Sequence, residues 1–223
     1  MQIRIRLEEA VASRHLLDHS FYRRWSAGEL SREELREYAR QYWHFTLAFP
    51  TFVSAIHSGT DDLEARRLLL ENLIEEERGA ENHPELWLRF CEALGLTRDE
   101  VKGSEANAGT RALVETMREL TREGATHQGL ASLFAYESQV PAVAAAKIEG
   151  LAKWYDMTAP SEIAFFTVHQ EADVHHSATA MALLERFADD PASADQADHA
   201  ARRTLDALYR FLDAVTIPSE SAA

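Results

Sequence analysis

The chain has 223 residues, 46% of them hydrophobic, and its 23 lysines and arginines face 37 aspartates and glutamates for a formal net charge of -14. That length suits one sizeable core, read as a single helical domain over residues 1–223, and the composition excludes a chain disordered throughout. The acidity excludes the basic footprint that neutralises phosphates, so no nucleic-acid partner is expected.

Cys91 is the only cysteine, which rules out an internal disulfide and a thiolate-rich zinc or iron–sulfur site. The opening MQIRIRLEEAVASR has no apolar run of the signal-peptide kind. No stretch reaches the roughly 20 apolar residues of a membrane span; Val140 to Ile148 is too short and contains Lys147. A reducing cytoplasm, away from membranes, is the expected setting.

The pattern is helical almost throughout. Ser31 and Glu34 form a capping box that starts a helix. Its apolar stripe is Leu35, Tyr38, Tyr42, Phe45, Phe49, Phe52 and Ile56; Pro50 should kink it and Gly59 end it. Asp61 or Asp62 caps the next helix, which carries Leu69 and Leu73 and should break near His83-Pro84. A shorter piece runs from Glu85 to Leu94 and stops at Gly95. Thr97 and Glu100 read as a second capping box, and Lys102 to Ala108 as a loop. A helix from about Thr110 to Glu123 ends at Gly124. The next runs from Thr126 to about Leu151 with Pro141 inside. Ser161 is expected to cap a long helix reaching Phe187, and Ala188 to Ser193 to form a turn. The last helix carries Leu205, Leu208, Leu212 and Val215; Ile217-Pro218 stops it and the tail, 218–223, frays. The sum is an all-α bundle of about seven helices.

The chemistry is carried by polar residues where apolar ones belong. On the Ser161 helix the stripe reads Phe166, His169, Asp173, His176, Ala180, Leu183 and Phe187, in alternating steps of three and four. Three consecutive ionisable members on a buried face would be costly without partners, and a bound cation removes that cost. Glu76 falls on the stripe of Leu69 and Leu73, with His83 two turns further on the same face. Glu137 falls on the stripe of Leu130, Leu133 and Phe134. Three carboxylates and three imidazoles on three helices are enough for two metals. Oxygen and nitrogen donors without thiolate suit iron or manganese better than zinc. The alternative is a set of satisfied core polar groups and solvated acids.

The runs EEERGAENHPELWLRF, YESQVP, KIEGL and HQEADVHH resemble the family of the chlamydial protein associating with death domains. That family belongs to the haem-oxygenase-like dimetal oxidases, whose fold is shared with thiaminase-like and pyrroloquinoline-quinone-synthesis proteins. The resemblance extends from FYRRW at Phe21 to the last helix. It implies a haem-oxygenase-like fold with two metals, iron with iron or iron with manganese, held by Glu76, His83, Glu137, His169, Asp173 and His176. It implies use of molecular oxygen and an external reductant to make para-aminobenzoate for folate. It further implies excision of the protein's own Tyr22 side chain with Lys147 as the amino donor, Tyr38 and Tyr136 as relays, and a homodimer. Lys147 is ten residues past Glu137, about 15 Å along a straight helix, so a bend at Pro141 would be needed to bring it near the metals.

Two other readings stay in play. One is the same chemistry on a diffusible fatty acid or amino acid, in an apolar pocket formed partly by Phe45, Phe49, Phe134 and Phe166. The other is a non-enzymatic helical interaction protein. Cys91 is expected in the core rather than as the cysteine nucleophile of thiaminase-like enzymes. No glycine-rich phosphate loop indicates a nucleotide cofactor.

Overall fold

Ile3, Leu7, Ala10 and Val11 recur at helical spacing and are all buried, so the chain begins with an amphipathic helix, α1 (Gln2–Ser13), laid against the last helix. The structure, a computed structural model, describes residues 2–216; the stop at Ile217-Pro218 and the tail 218–223 lie outside the described residues. Helix α2 (Ser20–Ala27) buries Phe21, Tyr22 and Trp25. His19 caps it by accepting from the Phe21 N–H, and Gly28 closes it at φ 73°, a left-handed turn that glycine adopts freely. Neither helix carries a Ser, Thr, Asp or Asn cap that would have marked it in the sequence.

Helix α3 (Arg32–Gly59) starts on the Ser31–Glu34 capping box and buries its whole aromatic stripe. It runs through Pro50 without ending, although the proline leaves the Thr46 carbonyl without its usual amide partner. Helix α4 (Leu63–Glu77) is capped by Asp62. The chain then turns through Gly79 at φ 85°, and Asn82 caps α5 (His83–Ala93) with Pro84 in its first turn. The break therefore precedes His83, and Glu76 and His83 stand on different helices rather than on one face. Proline fits the first turn of a helix because no partner awaits its missing N–H there.

Short α6 (Arg98–Lys102) sits on the Thr97–Glu100 box. Helix α7 (Ala108–Arg118) continues into a wider π-type turn, Glu119–Glu123. The helix expected from Thr126 to Leu151 is two, α8 (Thr126–Glu137) and α9 (Val140–Tyr155). Pro141 has no N–H to give the Glu137 carbonyl. Gln139, fully buried, fixes the break: its Nε2 donates to the Ala135 carbonyl at 2.6 Å, and its Oε1 accepts from the Leu16 N–H at 2.8 Å. Helix α10 (Pro160–Phe187) begins on Ala159, whose N–H is taken by the Glu162 carboxylate, so Ser161 is not its cap. Asp190 caps α11 (Pro191–Val215).

Helix α10 packs against α5, α8 and α9, α11 against α1, α7 and α8, and α3 against α4, α5 and α7. Among the described residues there is no strand, and no helix is long and apolar enough to cross a membrane. Other helices cover one face of α10, and its polar stripe lies on that covered face while Val168 and Val174 stay exposed.

Candidate metal centre

His169, Asp173 and His176 follow one face of α10 and are only 5%, 2% and 5% exposed. Glu76 comes from the last turn of α4, His83 from the first turn of α5, and Glu137 from the end of α8. The donor atoms of Glu76, His83 and His169 all lie within 4.8 Å of one another, as do those of Glu137, Asp173 and His176. Two three-residue clusters result. They draw on four helices, not the three expected, because His83 belongs to α5.

His176 Nδ1 is hydrogen-bonded to Asp173 Oδ1 at 3.3 Å, but other atoms inside the clusters are close without being bonded. His83 Nδ1 is 2.8 Å from Glu76 Oε2, yet it makes no hydrogen bond. Glu137 Oε2, Asp173 Oδ2 and His176 Nε2 are also buried without a partner. Unpaired buried polar atoms are rare, and each costs about 1–3 kcal/mol. Crowded donors that point past one another fit a cation at their common focus, and these side chains could hold one ion per cluster. His169 is already oriented for it. Its Nδ1–H donates to the Phe165 carbonyl at 2.6 Å, which leaves the Nε2 lone pair free.

The electrostatics agree. Burial, then the nearby Asp173 charge, pushes the Glu137 carboxyl well above the usual range. Burial likewise pushes Asp173 up, against the opposing hydrogen bond from His176. Crowded, desolvated carboxylates hold protons unless a metal takes their place. Burial and the neighbouring His83 hold His169 well below the ordinary imidazole value, so it stays a neutral donor. For His176 burial works downward, but the bond to Asp173 and the Glu137 charge outweigh it and raise the ring to about 9.

Beside the clusters lies a cavity of about 20 Å³, room for about one water. Tyr22, Tyr42, Tyr136, Lys147 and His169 all line it. Lys147 Nζ donates to the Tyr38 hydroxyl at 2.7 Å and sits 5.4 Å from the centre of the Tyr22 ring. The Tyr22 and Tyr38 hydroxyls are 3.4 Å apart. The Arg24 guanidinium grips Glu34 with two bonds of 2.6 and 3.0 Å and ties α2 to α3. Trp25 Nε1 donates to the Lys147 carbonyl at 3.3 Å, so one short helix positions Tyr22 against both partners. Burial lowers the Lys147 ammonium to about 7 and raises the phenols of Tyr22, Tyr38, Tyr42 and Tyr136 above their ordinary range. The break between α8 and α9 is what lets Lys147 share a cavity with His169.

Of the expected pocket, Phe45 and Phe49 line a smaller cavity of about 10 Å³ beside Glu76, His83, His169 and Asp173. Phe166 lines the lysine cavity. Phe134 is buried in the core and lines neither. Cys91 is 1% exposed, and burial pushes its thiol up to about 12, which suits a core residue and not a nucleophile.

Three polar partners escaped the sequence reading. Asn72 donates to Glu137 Oε1 at 3.0 Å; it lies four residues before Glu76, so the same helix face was a usable signal. Glu75 Oε2 lies 3.0 Å from His176 Nε2, and nothing in the run of three glutamates singles it out. The Tyr42 hydroxyl is hydrogen-bonded to that of Tyr136, and the Tyr42 ring lies 5.3 Å from the Tyr38 ring. Its place four residues after Tyr38 on one stripe was the available sign.

Comparison with known proteins places this architecture. Residues 36–209 match the family model described as an iron-containing redox enzyme. A 4-aminobenzoate synthase of Nitrosomonas europaea is 44% identical over 218 residues, covering 94% of this chain and 89% of that protein. A 4-aminobenzoate synthase of Chlamydia muridarum is 41% identical, covering 96% and 89%. The crystal structure of a TenA homologue from Pseudomonas syringae superposes with a TM-score of 0.81 at 18% identity, over 96% of this chain and 91% of that one, which bears out the all-α, haem-oxygenase-like fold. By the match to its model and by relatives that are similar along most of their length, the chain belongs to the family of iron-containing redox enzymes.

Proposed function

We propose that this protein is an oxygen-dependent two-metal oxidase that forms 4-aminobenzoate, with Tyr22 as the source of the ring and Lys147 as the source of the nitrogen. The observation that carries the reading is one cavity shared by Tyr22, Lys147 and His169. Glu76, His83 and His169 would hold one metal, and Glu137, Asp173 and His176 the other, as iron with iron or iron with manganese. When bound, the metals supply the oxidising power drawn from dioxygen and an external reductant.

The chain's own residues do the rest. 4-Aminobenzoate keeps the ring and the attached carbon of a tyrosine side chain, with nitrogen in place of the phenolic oxygen. Lys147, lowered to about 7 by burial, keeps a lone pair on a large share of molecules at neutral pH and can act as a nucleophile. Its bond to Tyr38 aims Nζ over the Tyr22 ring. Tyr42 and Tyr136, joined through their hydroxyls, both line the lysine cavity, and Tyr136 also lines the small cavity beside Glu76, His83 and His169. The buried walls shut out bulk solvent. A cavity of about 20 Å³ has no room for a fatty acid, which favours an internal substrate over a diffusible one.

The test is intact and peptide mass spectrometry after reaction with metal, reductant and oxygen. The Tyr22 side chain should be lost as aminobenzoate appears, and Tyr22→Phe should form none. Aminobenzoate accumulating over many turnovers while Tyr22 stays whole would refute self-sacrifice. Failure of the wild-type gene to rescue an aminobenzoate-requiring bacterium, beside a rescuing relative, would count against the activity itself.

A further inference from the structure

A divalent cation must shed most of its water to reach six side chains that are between 1% and 5% exposed. Three cavities touch the two clusters. The lysine cavity and the small one beside Phe45 are lined by buried residues throughout. The third, of about 20 Å³, lies between α4, α8 and α10, and it alone of the three reaches exposed side chains: Glu71, Glu75 and His175 on its rim, with Asn72, Glu137 and His176 deeper in.

Glu75 is half in solvent, its side chain 49% exposed, with Oε2 3.0 Å from His176 Nε2. His176 Nδ1 faces the other way, 3.3 Å from Asp173 Oδ1 and 3.9 Å from Glu137 Oε1. The imidazole thus stands between the mouth and the cluster with one nitrogen toward each. Nε2 and the nearby Asn72 Oδ1 are both buried and unpartnered, so the contact with Glu75 is not a formed hydrogen bond that would lock the carboxylate in place.

We propose that Glu75 is the entry carboxylate of the centre: it takes a hydrated divalent cation from solvent and passes it inward past His176 to Glu137, without remaining a ligand. The inference rests on the reading of the six side chains as cation ligands. A mobile carboxylate that replaces waters a few at a time lowers the barrier of dehydration in both directions.

The test uses the full chain stripped of metal by a chelator, with cobalt(II) as the probe and its visible absorption followed by stopped flow. Wild type should take up two ions per chain. Glu75→Gln should also reach two, but about tenfold more slowly or worse, whereas Glu77→Gln, which removes the same charge from a position outside this cavity, should load within about twofold of wild type. Release from the loaded protein to excess chelator should slow by the same factor in Glu75→Gln, so that affinity is unchanged. Loading of Glu75→Gln as fast as Glu77→Gln overturns the proposal. So does saturation of Glu75→Gln at one ion, which would make Glu75 a permanent ligand. If wild type binds no cobalt at all, the two-metal reading falls along with it.

Discussion

Lys147→Met isolates a buried charge that the fold holds at a cost. The ammonium value falls from an ordinary 10.5 to about 7; at about 1.4 kcal/mol per pH unit, holding the charged form inside costs the folded protein roughly 5 kcal/mol. Above about pH 10.5 the lysine is neutral whether folded or unfolded and no cost exists. As pH falls from 10.5 to 7 the unfolded chain takes a proton that the folded protein refuses, so stability drops; below 7 both states are charged and the loss levels off. Methionine keeps the stem and removes the charge, but gives up the bond to Tyr38, about 1 kcal/mol. The variant should therefore be more stable than wild type at pH 6 by roughly 3–4 kcal/mol, with the gap closing between pH 7 and 10.5. Urea unfolding of both metal-free proteins from pH 6 to 10 measures the difference, in which the titrations of groups away from Lys147 cancel. A difference that is flat with pH, or a variant less stable at pH 6, would refute the account.

Other changes probe the centre and its supports. His169→Ala leaves Glu76 and His83 as a two-donor cluster, so elemental analysis should find metal content falling from two ions per chain toward one, with the Glu137–Asp173–His176 cluster still loaded. Tyr42→Phe strips Tyr136 of its hydroxyl partner; the loss should be about 1–2 kcal/mol in urea unfolding. Aminobenzoate formed by the same variant, read by chromatography, should fall about tenfold or more, the effect of roughly 1.4 kcal/mol on a barrier. Gly150→Ala would set a Cβ 2.6 Å from Trp25 Cδ1 and 3.2 Å from the Trp25 carbonyl oxygen. The indole is fully buried and has nowhere to move, so thermal unfolding should show a loss of about 1–3 kcal/mol.

What was legible in the sequence was what a single helix decides. The stripe of α10 could be written down from its spacing, and the structure buries Phe166, His169, Asp173, His176, Ala180 and Leu183 as that spacing requires. The capping boxes at Ser31 and Thr97 are local too, and both form. The relation of Glu76 to His83 was not legible in the same way. Pro84 signals a boundary nearby, but Asn82 and the left-handed Gly79 fix where it falls, and that moves His83 onto another helix. The meeting of Lys147 with His169 is further out of reach. It depends on a break held by Gln139, whose side-chain oxygen is engaged by the Leu16 N–H, 123 residues away. Tyr22 depends on a helix capped by a histidine and clamped by the Arg24–Glu34 pair, and composition marks neither.

The surroundings of Tyr22 have a consequence that no one of its contacts carries alone. In water near neutral pH a lysine is an ammonium and a phenol is neutral, and a neutral amine that took the phenol's proton would form an ion pair. Here burial acts on both sides of the Lys147–Tyr38 bond in the sense that favours neutrality, lowering the amine and raising the phenol. The same burial raises Tyr22. At neutral pH a large share of molecules therefore hold these groups uncharged: an amine with its lone pair, and phenols that keep their protons. A nucleophile is available without a base to generate it, and a phenolic O–H can lose hydrogen only to an oxidant, because loss of the proton alone would leave a buried anion. A pocket that refuses charge makes oxidation the route by which its tyrosines can react, and it shares His169 with one of the two clusters whose side chains could hold a metal.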